Sequence, residues 1–128
     1  MGRGNDFRPR FAIVKQEHAQ TASVTLYGEF DLAWAQKFKE LSESLCADGL
    51  RQVVLDLRGL AFIDSSGLRS IVELWERSKE SGFDLTIVRG APAVHQPFAT
   101  TGLDGVLPMI VRSTPLPDPS LDLHHSPE

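Results

Sequence analysis

The chain has 128 residues, 41% hydrophobic and 23% charged, with a formal net charge of −4. That length supports one domain with one modest core and excludes two. The mild acidity gives no electrostatic reason to bind DNA, RNA or an anionic membrane. A single cysteine, Cys46, excludes a disulfide framework or a cysteine-based zinc cluster. No apolar run approaches the ~20 residues of a membrane helix, and no apolar core follows the N-terminal basic residues as in a signal peptide. The expectation is a cytoplasmic protein without membrane insertion.

Residues 1–10, MGRGNDFRPR, show no periodicity and are expected to form a flexible leader. FAIVKQE is a short apolar run, and SVTLYGEF alternates, with Val24, Leu26 and Phe30 on one side; both are predicted strands, joined by a turn within His18 to Ala22. The period then changes. Trp34, Phe38, Leu41 and Leu45 share one helical face over residues 32–48, with Asp31 placed to cap the start and Gly49 to stop the helix. RQVVLDLRGL is a predicted buried strand ending at Asp56-Leu57, followed by a loop from Arg58 to Ile63. A second helix runs from about Ser66 to Ser81, its stripe formed by Leu68, Ile71, Val72 and Trp75, and Gly82 ends it. FDLTIVRG is a strand, residues 93–101 a shorter helix, and VLPMIV a closing strand. The order β-β-α-β-α-β-α-β predicts one α/β domain over residues 11–112, with a mixed, mostly parallel sheet packed with helices. Residues 113–128 are rich in Pro, Ser and Asp and are expected to be a disordered tail.

The most informative stretch is VVLDLRGLAFIDSSGL, residues 53–68. A strand leads through a loop to a helix that opens at Asp64-Ser65-Ser66-Gly67. Asp64 is a good N-cap, since its carboxylate can accept N–H groups of the first turn. Gly67 removes side-chain bulk, so another molecule could approach the backbone. Free N–H donors and the helix dipole suit a phosphate, which makes a hydroxyl placed there a sensible phosphoacceptor. Read alone, however, Ser and Asp at a helix start are ordinary capping residues.

The sequence resembles the STAS family, and within it the anti-sigma factor antagonists. Three blocks match in order across about residues 11–111: LYGEFDLAWAQKF, VVLDLRGLAFIDSSGL and LTIVRGAPAVHQPFATTGLDGVLPM. The second is the specific one. The resemblance implies phosphorylation of Ser66, with Ser65 as the alternative acceptor, by a serine kinase that is also the anti-sigma factor, and a phosphatase that resets the switch. It further implies a partner-binding surface of Asp31, Asp64, Ser65, Ser66 and Gly67, with Asp31, Ser65 and Ser66 close together and accessible at one end of the sheet. No cofactor is expected; ATP belongs to the partner. Three features depart from the pattern: Leu32 stands where a polar or basic residue is common, Pro97 falls inside the third helix, and a Pro-rich tail replaces the family's last helix. The alternative within the same resemblance is a soluble subunit of a membrane transport complex, with a structural role.

Other residues have plainer roles. Cys46 lies beside an apolar stripe without a charged activator, which suits packing better than nucleophilic chemistry. His18, His95, His124 and His125 are too scattered for a metal site. Trp34 and Trp75 suit core packing. No Gly-x-Ser-x-Gly elbow, Gly-rich phosphate loop with Lys, or HExxH segment is present, and Ser66 has no base near it in sequence, so a serine hydrolase is a poor reading. No catalytic residue is expected.

Overall fold

The computed structural model describes residues 11–121; the expected leader at 1–10 and the tail at 122–128, with His124 and His125, lie outside the described residues. Strand β1 (Phe11–His18) and strand β2 (Thr21–Phe30) form a hairpin, followed by helix α1 (Leu32–Ala47), β3 (Gln52–Ile63), α2 (Ser65–Ser81), β4 (Asp84–Val88), α3 (Pro92–Thr100) and β5 (Met109–Ile110). The strands lie in sequence order across one five-stranded sheet. β1 and β2 are antiparallel, and every later pairing is parallel. This is the mixed α/β domain expected from the alternation of periods.

The hairpin turn is tight, since His18 faces Thr21 and only Ala19 and Gln20 intervene. Both turn residues have positive φ, 51° and 66°, as a type I′ turn requires. Neither is Gly or Asn, so the turn carries backbone strain.

One sheet face carries the main core. Phe11, Ile13, Val24, Leu26, Leu55, Leu57 and Ile87 pack there against Phe38, Leu41 and Leu45 of α1 and Ile71 and Leu74 of α2. An aromatic cluster closes the end nearest the carboxyl terminus of β2. Phe30 lies 5.2 Å from Phe11 and 5.0 Å from Phe38, and Trp34 stacks on Phe11 at 5.2 Å. The α1 stripe is thus the expected one. In α2 the stripe is rotated: Gly67, Ile71, Leu74 and Ser78 are buried, while Leu68 and Trp75 pack at its margin and Val72 is half-buried. The tight seat of Gly67 against β2, described below, sets that rotation.

β3 does not end at Leu57. It continues through the stretch expected to be a loop, with register shifts against β2 between Thr25 and Tyr27 and between Gly28 and Glu29. At each shift β3 advances one residue more than β2. Such bulges interrupt strict alternation, which is why LRGLAFI does not read as a strand. Gly59 sits where the strand needs it, because a Cβ there would lie 2.5 Å from Cδ1 of the Tyr27 ring.

The closing strand is shorter than VLPMIV. Pro108 has no N–H to donate to a ladder, and only Met109 and Ile110 pair with β4. Pro97 does lie inside α3, as anticipated. Its missing N–H leaves the carbonyl of Ala93 without its helical donor, and Ala93 is exposed to water.

Beyond β5 the described chain contains no α-helix. Of the tail expected to be disordered, residues 113–121 make contacts. Arg58 donates to the carbonyls of Arg112 and Thr114, and Tyr27 donates its hydroxyl to the carbonyl of Pro117. A short 3₁₀ turn, Pro119–Leu121, lies against β1.

Candidate functional site

Parallel pairing of β2 and β3 places two helix starts side by side. Phe30 and Ile63 are register partners on the last rung of the two strands. Asp31 and Asp64 come next in sequence, and each caps the helix that follows. The Asp31 carboxylate accepts from the N–H of Ala33 at 3.1 Å. The Asp64 carboxylate accepts from the N–H groups of Ser66 at 2.8 Å and Gly67 at 3.0 Å. The N–H of Asp64 in turn donates to the carbonyl of Phe30 at 3.1 Å, tying the second helix start to the first strand.

Asp31, Asp64, Ser65 and Ser66 therefore share one end of the sheet. Their exposures differ. Ser65 is exposed, whereas Asp31, Asp64 and Ser66 are half-buried. The Ser66 hydroxyl has no hydrogen-bond partner among the described residues; its carbonyl accepts from the Ser70 hydroxyl at 2.9 Å.

Two of the sequence-based expectations need correction. Gly67 offers no opening to a second molecule: it is buried, and a Cβ there would lie 2.6 Å from the Phe30 carbonyl oxygen and 2.8 Å from Cγ1 of Ile63. The missing side chain lets α2 seat against the strand ends. The N–H groups expected to greet a phosphate are also not all free, because Asp64 takes those of Ser66 and Gly67. The helix start is already satisfied by an anion of its own.

Two grooves flank α2 at this end. One, of about 330 Å³, lies between α1 and α2, lined by Leu32, Gln36, Lys39, Ser66, Arg69 and Glu73 among others. The other, of about 450 Å³ and mostly apolar, lies between α2 and α3, with Ile63, Leu68, Ala93 and Pro97 on its walls. Ser65 lines both grooves, while Ser66 lines only the first. Leu32, beside Asp31, is 73% exposed, and Phe62 is 50% exposed. Sequence reasoning missed Phe62 and the second groove. Phe62 falls in the stretch read as a loop, and the groove needs the packing of α3.

The remaining histidines and the cysteine fall elsewhere. His18 is exposed at the end of β1, and Cys46 packs at the edge of the core. His95 is buried on α3, stacked with Phe98, with Nε2 3.4 Å from an Asp104 carboxylate oxygen but not in hydrogen-bonding geometry. Among the described residues, no group of three or more His, Cys, Asp or Glu could hold a metal ion. No helix there is long and apolar enough to cross a membrane.

Comparison with known proteins matches this fold. The sequence model of the STAS domain family matches residues 12–114. The anti-sigma F factor antagonist of Paenibacillus polymyxa is 26% identical over 98 residues, covering 76% of this chain and 84% of its own length. The crystal structure of an anti-sigma factor antagonist from Mycobacterium paratuberculosis superposes with a TM-score of 0.69 at 28% identity, over 77% of this chain and 84% of that one. The Bacillus cell fate determinant SpoIIAA, in its phosphorylated form, superposes with a TM-score of 0.65 at 17% identity, over 80% of this chain and 92% of that one; at that identity the likeness is one of fold.

Proposed function

The chain belongs to the STAS domain family, and on that premise we propose that it is an anti-sigma factor antagonist that works by partner switching in the cytoplasm. Unphosphorylated, it binds an anti-sigma factor that is also a serine kinase, and so frees the sigma factor. Phosphorylation at Ser66 by that kinase, with ATP, dissociates the complex, and a phosphatase restores it. The chain itself performs no catalysis in this scheme.

The observation that carries the reading is the Ser66 hydroxyl, without a hydrogen-bond partner among the described residues, at the end of the sheet where β2 and β3 stop together and two aspartates cap the helices that follow. A phosphate brings about −1.5 to −2 charges. Asp64 already occupies the N–H groups of Ser66 and Gly67. The new charge is therefore not absorbed by the helix start without displacing that carboxylate. It stays at the surface beside Asp64, at the end of the sheet that also carries Asp31, where a docked partner meets it. A coupling of ~1–3 kcal/mol is sufficient for a switch of this kind.

The test is incubation with the kinase and ATP, followed by intact-mass measurement. Wild type and Ser65→Ala gain one phosphate, and Ser66→Ala gains none. Equal modification of wild type and Ser66→Ala overturns the assignment of the acceptor. No modification of wild type by any candidate kinase favours the structural subunit of a transport complex instead.

A further inference from the structure

The sheet has a second face. Val14, Thr25, Asp56 and Val88 occupy one row of it, paired across β1 to β4, and all four are buried. On this face Arg58 forms a two-pronged ion pair with Asp56, Nε to Oδ1 at 2.9 Å and Nη2 to Oδ2 at 2.6 Å. The same guanidinium holds the carbonyls of Arg112 and Thr114, and Tyr27 holds that of Pro117. We propose that residues 112–117 are a strap that staples the first bulge of β3 and, through it, steadies the strand end that carries Asp64 and the two serines.

The contacts coincide with the irregularity. The register first slips between Thr25 and Tyr27, where β3 runs from Asp56 to Gly59. Tyr27 is the first β2 residue past the slip, and Arg58 lies within the extra length of β3. Both bind the strap. A second slip follows at once, between Gly28 and Glu29. Two bulges in so short a stretch remove ladder bonds and leave backbone groups unpaired, so this half of β3 is the part of the sheet that most needs outside support. It leads directly from Arg58 to Ile63 and the Asp64 cap.

The chemistry of the tail suits the role. Pro115, Pro117 and Pro119 have no N–H, so the segment is poorly suited to pair as a ladder strand. Its carbonyls remain available as acceptors, and the sheet supplies side-chain donors. Arg58 has five N–H donors in a fixed fork, enough for the carboxylate and the strap together. The buried Asp56 holds that fork in place.

The proposal does not rest on phosphorylation of Ser66. Its test uses the full chain in two variants. Tyr27→Phe removes only the hydroxyl donor. The double variant Pro115→Gly and Pro117→Gly loosens the strap without touching the sheet. Trypsin cleavage after Arg112, whose carbonyl Arg58 holds, reports release of the strap; amide hydrogen exchange over residues 58–67 reports the strand end, with residues 71–78 of α2 as reference. The expected result is at least ten-fold faster cleavage in the double variant. It is accompanied by at least ten-fold loss of protection over 58–67 and little change over 71–78, with Tyr27→Phe shifting the same way. Three results overturn the proposal: faster cleavage with unchanged protection over 58–67, unchanged cleavage in both variants, or an equal loss of protection across the whole domain.

Discussion

Phe30 and Ile63 face one another on the last rung shared by β2 and β3, and that pairing sets two helix starts side by side at one end of the sheet. Each residue is followed by an aspartate that caps a helix. The two caps therefore emerge together from adjacent parallel strands, and Ser65 and Ser66 open the second helix beside them. The carboxyl ends of parallel strands are where α/β sheets commonly present their functional groups; here that end carries acidic caps and hydroxyls.

Gly67 tests how tightly this end is built. A methyl group there meets the Phe30 backbone oxygen at 2.6 Å, a neighbour that cannot rotate away. Gly67→Ala is expected to destabilise the domain by about 1–3 kcal/mol, as overpacking does. Ser65→Ala, at an exposed position, should cost within about 0.5 kcal/mol. Urea unfolding of the two variants checks the contrast, and equal stabilities would mean that α2 is not seated against Phe30.

The β1–β2 turn offers a gain in stability. Ala19 and Gln20 hold positive φ without glycine. Gln20→Gly relieves about 1–2 kcal/mol of left-handed strain, and loses part of that, about 0.4–1 kcal/mol, to the greater freedom of the unfolded chain. A net gain of ~0.5 kcal/mol is expected, read as a higher urea midpoint with an unchanged slope.

The single tyrosine gives the second sheet face a pH signature. Burial raises the Tyr27 pKa above the usual 10, as do the nearby carboxylates of Asp56 and Asp118; Arg58 pulls the other way. A raised folded-state pKa means that the stability linked to this group is fully present below pH ~10 and is lost as pH rises through the folded value. Ionisation also removes the hydroxyl that donates to Pro117. Ultraviolet titration should show the phenol ionising later in the folded protein than in urea, and Tyr27→Phe should reduce the alkaline loss of stability. Identical folded and unfolded titration curves would contradict this placement.

Both helix starts at the site were legible in the sequence because capping is local. Asp31 and Asp64 act within three residues of themselves, and the change of period after each is plain. The second half of β3 was not legible, because two bulges break its alternation through Arg58 to Ile63. The α2 stripe was legible in part: Ile71 is buried and Leu68 and Trp75 pack at the margin, but Gly67, which carries no hydropathy signal, is buried as well and seats closely against Phe30. The contacts of residues 112–117 were beyond local reading: their donors, Arg58 and Tyr27, lie 54 to 90 residues away in sequence. The expectation that Asp31 and Ser66 lie close together came from the resemblance to the STAS family, and the parallel register of β2 and β3 brings both to the same end of the sheet.

In the proposed switch, phosphate at Ser66 opposes partner binding. Titration calorimetry of the anti-sigma kinase against the unmodified chain and against the chain phosphorylated at Ser66 tests it most directly. Phosphorylation is expected to weaken binding at least ten-fold, about 1.4 kcal/mol or more. Equal affinity of the two forms would contradict it.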